Sequence, residues 1–260
     1  MAVTVATAFA RARDEGRAAL MGYLPAGFPT VAGAIEAMRA MVEAGVDIVE
    51  VGFPYSDPVM DGPTIQAASD AALRGGVRSA DVLKTVAAVA ETGAPVLVMS
   101  YWNVIERYGV AAFARDLAAA GGAGLITPDL IPDEADDWLA ASDDLGLDRV
   151  FLVAPSSTDR RLAMTAAACS GFVYATSVMG VTGARAQTSD AAPALVARTK
   201  AVTDKPVAVG LGVSDGDQAA AVAAYADGVI VGSALVRCLQ SDGGGLRPLV
   251  TDLARGVRLR

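Results

Sequence analysis

Glu50 stands among valines in the segment VDIVEVG, and eleven residues further on Asp61 opens DGPTIQ. A lone carboxyl in an apolar strand is costly unless it is paired, hydrated or used. Apolar neighbours raise its pKa, which suits a group that must both give and take a proton. The intervening GFPYSDPVM can fold back over the strand end, so Glu50 and Asp61 could flank one ligand. Two carboxylates in different surroundings divide into a proton shuttle and an ionised partner for a cation. Each acid also has a plainer reading. Glu50 could be a carboxylate tied to a hydrogen-bond partner, and Asp61-Gly62-Pro63-Thr64 could be a turn and helix cap. Asp57, in Ser56-Asp57-Pro58, fits a turn equally well.

The chain contains no histidine. Ser-His-Asp and Cys-His nucleophiles and histidine-ligated metals are therefore excluded, and proton transfer near neutral pH falls to Asp, Glu, Lys, Tyr, Cys or water. Three late loops carry glycine where a strand ends or a helix begins: MGVTGAR, GLGVSDG and GSAL. Glycine there lets backbone amides approach a phosphate closely. With 29 acidic and 21 basic residues the net charge is −8, without long runs of either sign. That balance argues against nucleic acid or an anionic membrane as partner, but not against a small anion bound by amides.

Eight elements must position these groups. Short apolar runs at Leu20–Leu24, Ile48–Val51, Val96–Ser100, Gly124–Thr127, Val150–Val153, Phe172–Thr176, Val207–Val209 and Val229–Val231 alternate with alanine-rich helical stretches such as Val31–Ala44, Asp81–Ala90 and Val110–Ala120. Eight strand–helix units predict a parallel sheet closed on itself, a single (β/α)8 TIM barrel over residues 1–260. The amino terminus reads as an amphipathic lead-in helix rather than a signal peptide. The loop after strand two is followed by an extra helix near Ile65–Leu73. Active sites of this architecture lie at the carboxyl ends of the strands, with phosphate usually beside strands seven and eight. Cys169 and Cys238 are read as buried thiols within helices, in a reducing cytoplasm. No apolar run approaches the roughly 18–20 residues of a membrane span.

The segment VEVGFPYSDPVMDGPTIQ resembles the signature of the tryptophan synthase alpha subunit family. Further similarity runs through YLPAGFP, MSYWN, PDL, FLVAP, GVTGAR, GLGVS and VGSAL, and so over nearly the whole chain. The resemblance implies retro-aldol cleavage of indole-3-glycerol phosphate to indole and glyceraldehyde 3-phosphate. It implies Glu50 as the acid–base group and Asp61 as the carboxylate facing the indole. It places Tyr23, Tyr174 and Thr182 near the ligand, and Gly183, Gly212, Gly232 and Ser233 at the phosphate. No metal or organic cofactor is expected in this subunit. The resemblance assigns pyridoxal phosphate to a beta subunit that receives indole in an αββα assembly. The loop Tyr55–Met60, including Asp57, together with Asn103 and Asp129, is expected to face that partner.

The chain departs from the family pattern at Gly27-Phe28-Pro29, where Gly-Asp-Pro is common, at Met60, a position often small, and at Ile131, where proline is common. None touches the two carboxylates. Competing readings are a free-standing lyase with the same residues, another phosphate-binding barrel such as an isomerase, and a silent barrel acting only as an allosteric partner.

Overall fold

The computed structural model describes residues 4–176, 191–210, 212–241 and 244–259. Its strands are β1 (Ala19–Pro25), β2 (Ile48–Gly52), β3 (Val96–Met99), β4 (Gly124–Thr127), β5 (Asp148–Val153), β6 (Val173–Thr176), β7 (Val207–Gly210) and β8 (Gly228–Val231). Each pairs in parallel with the next, and β8 returns to β1, closing the barrel. Parallel neighbours need a long crossover, and the helices supply it. Most strand limits lie within a residue of the apolar runs. The exception is β5, which starts two residues before its run, at Asp148. There Arg149 donates to Ala168 O and to Ser142, and Ser170 donates to Asp148, so two charged residues extend a strand without stranded polar groups.

Alternation along each strand sorts side chains into two cores. Met21, Ile48, Leu97, Ile126, Val150, Phe172 and Ala208 fill the barrel interior. Leu20, Val49, Val98, Leu125, Phe151, Val173 and Val209 face outward against the helices. Both faces are buried, which is why the strands read as continuous apolar runs. The lead-in helix α1 (Val5–Asp14) contributes Val5, Ala8, Phe9 and Ala12 to the interior core. The Phe9 and Phe172 rings meet at 5.5 Å, so α1 packs on the inner cluster as well as preceding the barrel.

The insertion after β2 is a loop followed by α3 (Pro63–Arg74), and α4 (Ser79–Ala90) follows. The thiols depart from expectation. Cys169 is buried but lies one residue beyond α8 (Asp159–Ala168), and Cys238 is inside α11 (Ser233–Ser241) but only half-buried. A helix on the outside of a barrel has a solvent face, and periodicity alone does not fix which side of that face a cysteine meets.

Next to α1, Arg17 and Asp47 form an ion pair in which both residues are about 5% exposed or less. Arg17 Nη1 and Nη2 donate to Asp47 at 2.6 and 2.9 Å, and the Leu20 N–H donates to the same carboxylate at 2.9 Å. Burial by itself would raise the Asp47 pKa, but the Arg17 and Leu20 hydrogen bonds outweigh it and hold the group below its ordinary value. Asp47→Ala removes the bidentate partner of the buried Arg17 guanidinium and leaves it, as counter-ion, only the half-exposed Glu15, which accepts its Nε at 2.6 Å. Urea denaturation is expected to show a loss towards the lower end of the about 3–5 kcal/mol of a broken buried pair, whereas a loss below about 1 kcal/mol would mean that the pair is no better than a surface bridge.

Candidate active site

Glu50 lies in the middle of β2, paired in register with Tyr23 of β1. Inward alternation puts its side chain in the barrel, at 0% exposure. Neither carboxyl oxygen has a hydrogen-bond partner among the described residues. Among the described residues nothing ties Glu50 as the structural carboxylate that the sequence also allowed. Burial pushes its pKa up to about 8, so the group is mostly protonated at neutral pH.

Asp61 reaches the same mouth from the loop after β2. It does not cap α3, whose N-cap is Gly62 with no side-chain cap bond. Instead Asp61 Oδ2 accepts a hydrogen bond from the Tyr101 hydroxyl at 3.3 Å. Burial raises its pKa to about 6, and the Tyr101 bond opposes the rise. At neutral pH Asp61 is thus mostly ionised while Glu50 is mostly protonated. Tyr23 and Tyr174 complete the cluster. Their phenols are pushed well above the ordinary value by burial first, and then by the charges of both Glu50 and Asp61. Two glycines make room for them. A Cβ on Gly52 would fall 2.3 Å from the Tyr23 hydroxyl, and one on Gly210 would fall 2.2 Å from the Tyr174 hydroxyl.

The loops after β7 and β8 differ from one another. Helix α10 (Gly216–Ala223) is already capped by acids: Gln218 N–H donates to Asp215 at 2.8 Å and Gly216 N–H to Asp252 at 2.6 Å. An anion gains little there. Helix α11 begins directly after Gly232, and none of its first-turn amides, Ser233 to Leu235, meets a side-chain cap among the described residues. Gly232 packs near Tyr23, with a Cβ reaching 3.2 Å from its ring, and Gly212 adopts φ +69° in the loop before α10. Backbone at positive φ is open to glycine and strained for other residues. Thr182, Gly183 and Arg185 lie outside the described residues. Among those described, no group of three or more Cys, Asp and Glu side chains could hold a metal ion.

On the outer side of the same loop, Asp57 accepts from Ser56 Oγ at 2.5 Å, Asn103 Nδ2 donates to the Tyr55 hydroxyl at 3.0 Å, and Asp129 accepts the Trp102 N–H at 2.9 Å. Tyr55, Asp57, Asn103 and Arg107 line a groove of about 580 Å³. Val59, Met60 and Ile131 leave 73%, 36% and 42% of their surface exposed close to it in sequence or at the next strand end. The structure thus gathers Asp57 and Asn103 in one groove, while Asp129 is outside its lining and bonds the backbone next to Asn103.

Comparison with known proteins adds a decisive observation. The family model for the tryptophan synthase alpha chain matches residues 9–257. The chain belongs to that family. The alpha chain of Salinispora tropica is 66% identical over 260 residues, covering 98% of this chain and 97% of its own length. That of Nocardia farcinica is 63% identical over 254 residues, covering 98% and 96%. A solved structure of Mycobacterium tuberculosis tryptophan synthase superposes with a TM-score of 0.96 at 62% identity, each chain covered completely. In this tryptophan synthase alpha chain family member, sequence reading found both carboxylates but missed what surrounds them. Tyr101 was visible only as part of MSYWN. Gly52 and Gly210 were visible only as strand-end residues, since the room they leave depends on strands that close in space.

The unpaired Glu50 has a measurable cost. Its pKa rises from 4.5 in the unfolded chain to about 8 when folded. Between those values the folded protein holds a proton that the unfolded chain has released, so this contribution is intact in acid and lost as pH climbs through the upper value. Glu50→Gln removes the titration. Thermal unfolding should show the variant gaining on the parent protein progressively as pH rises from 4.5 to about 8 and no further above that; parallel curves would contradict the buried carboxyl.

Proposed function

We propose that Glu50 and Asp61 divide the cleavage of indole-3-glycerol phosphate between them, in a lyase of tryptophan biosynthesis. The observation that carries this reading is the split of two carboxyls in one mouth: Glu50 without a partner among the described residues and protonated near neutrality, Asp61 held by Tyr101 and ionised. Environments that push two pKa values apart assign the acid and the anion. Glu50 donates its proton to C3 of the indole, and the positive charge moves to the ring nitrogen. Asp61 accepts a hydrogen bond from that N–H and stabilises the cation. The Glu50 carboxylate then takes the proton of the adjacent glycerol hydroxyl. The carbon–carbon bond breaks, its electron pair restores the aromatic ring, and the aldehyde leaves with Glu50 protonated again. Tyr23 and Tyr174 wall the ring site. The start of α11, uncapped among the described residues, supports with Gly232, Ser233 and the Gly212 loop a phosphate site built on amides; Gly183 is assigned there, and Thr182 near the ligand, by family pattern alone.

The expected pH profile of kcat/KM is a bell with an acid limb near 6, where Asp61 ionises, and a basic limb near 8, where Glu50 loses its proton. Glu50→Gln should lower single-turnover cleavage by roughly 10²-fold or more, and Asp61→Asn should also be severe because an amide cannot oppose the ring cation. Substrate binding by calorimetry should change little in either. Near-wild-type cleavage by a folded, substrate-binding Glu50→Gln would overturn the assignment.

The partner reading rests on Asp57 and Asn103 in one groove, on Asp129 bonded to the Trp102 N–H beside Asn103, and on the exposed Val59, Met60 and Ile131. Exposed apolar side chains near a polar groove fit a protein partner, here a pyridoxal phosphate-bearing beta subunit in an αββα complex. Sedimentation of the chain with its cognate beta subunit should give one larger species, and Asp57→Lys should weaken it; two independent species at micromolar concentration would refute the surface.

A further inference from the structure

Asp61 is held by a residue that the two-carboxylate chemistry does not by itself call for. Tyr101 follows β3 by two positions and forms the N-cap of α5 (Trp102–Tyr108). Its backbone is fastened on both sides: the Ser100 N–H donates to Ile126 O at 3.1 Å and the Trp102 N–H to Asp129 Oδ1 at 2.9 Å. The ring is only 7% exposed and lies 5.1 Å from the Tyr55 ring. Asp61, by contrast, sits in a loop outside regular structure. Its main chain is fastened by its own N–H to Pro58 O at 3.0 Å and by Gln66 Nε2 to its carbonyl at 2.8 Å. Among the described residues the carboxylate itself has one tie to the barrel, the Tyr101 hydroxyl.

That hydroxyl has a defined direction. It accepts the Met60 N–H at 2.9 Å and donates to Asp61 Oδ2 at 3.3 Å. A phenol carries one proton, so with the Met60 amide on its acceptor side the O–H is free to point at the carboxylate. One hydroxyl thereby fixes two successive residues of the loop. A loop carboxylate without such a tie samples several rotamers, and only one of them faces the ring nitrogen of a substrate lying over Glu50.

We infer that Tyr101 is a positioning residue for Asp61, its hydroxyl aiming the carboxylate and preserving its negative charge opposite the indole nitrogen. The inference rests on the role given to Asp61 above. The described groups facing Asp61 are Tyr23 from β1, Tyr101 itself and Tyr174 from β6, with Glu50 of β2 beside both Tyr23 and Tyr174, and Asp129 near Tyr101. None is cationic, so no other charge holds Asp61 ionised among the described residues. Removing the Tyr101 hydrogen bond, which lowers the Asp61 pKa, must therefore move that pKa upward.

Tyr101→Phe keeps the ring and its packing on Tyr55 and deletes only the hydroxyl. Cleavage of indole-3-glycerol phosphate is measured over a full pH range, with substrate binding by calorimetry. A lost charge-assisted hydrogen bond predicts kcat lower by about ten- to a hundredfold, unchanged binding, and an acid limb displaced to higher pH. In an Asp61→Asn background the same change should cost little more, because the two residues act through one interaction. Wild-type kcat with an unmoved acid limb overturns the inference. So does a loss confined to binding or to thermal stability, which marks a merely structural tyrosine, and so do losses that multiply in the double variant. Asp61→Asn alone separates the two levels. If it cleaves normally, the role of Asp61 fails; if it is crippled while Tyr101→Phe is normal, only the positioning role fails.

Discussion

Desolvation of a carboxyl inside a closed barrel governs much of what surrounds it. Glu50 has lost water and has gained no hydrogen bond among the described residues. Such a group remains neutral near pH 7 and is costly to ionise. A salt bridge would relieve that cost and also abolish the acid, since a paired carboxylate holds its proton only at low pH. Among the described residues no cation stands beside Glu50 and Asp61, and that has a chemical consequence. Elsewhere the fold does pair its buried charges: Arg17 and Asp47 satisfy one another at the start of the first two strands. The same chain contains both solutions to burying a carboxylate, one that stabilises and one that keeps reactivity.

The barrel makes this possible by filling its interior unevenly. Near α1 the inside is packed by Phe9, Met21, Ile48 and Phe172. Towards the carboxyl ends of β2, β7 and β8, glycines replace side chains, and the Tyr23 and Tyr174 rings use the space. The result is a packed floor beneath a cluster of two phenols and Glu50. Close packing below also limits how far Glu50 can move, since interiors respond to small volume changes.

The loop after β2 connects this mouth to the outer surface. Asp61 faces inward from it while Asp57 and Val59 face outward, and Tyr101 stands between the two sides, bonded to Asp61 and packed on Tyr55. Tyr55 in turn receives a hydrogen bond from Asn103. A change at the outer groove therefore has a short, contiguous route to the Asp61 carboxylate. Contiguity is a structural fact, and coupling along it is a matter of whether the loop has two arrangements with different energies.

Much of this was written locally. Apolar runs of strand length, separated by helical periodicity, specified eight units because both faces of a parallel barrel strand are buried and leave no polar alternation to confuse the pattern. The exposed cost of a carboxyl among valines singled out Glu50, and the proline-rich loop with its acid singled out Asp61. Tertiary structure decided the rest. Whether Glu50 was tied or free depended on which side chains from other strands came near it. Whether Asp61 capped a helix or met a phenol depended on a residue forty positions away. The Arg17–Asp47 pair, the place of α1 against the inner core, and the spaces beside Gly52 and Gly210 share that origin. Each joins groups distant in sequence, whose proximity exists only once eight strands have closed into a ring.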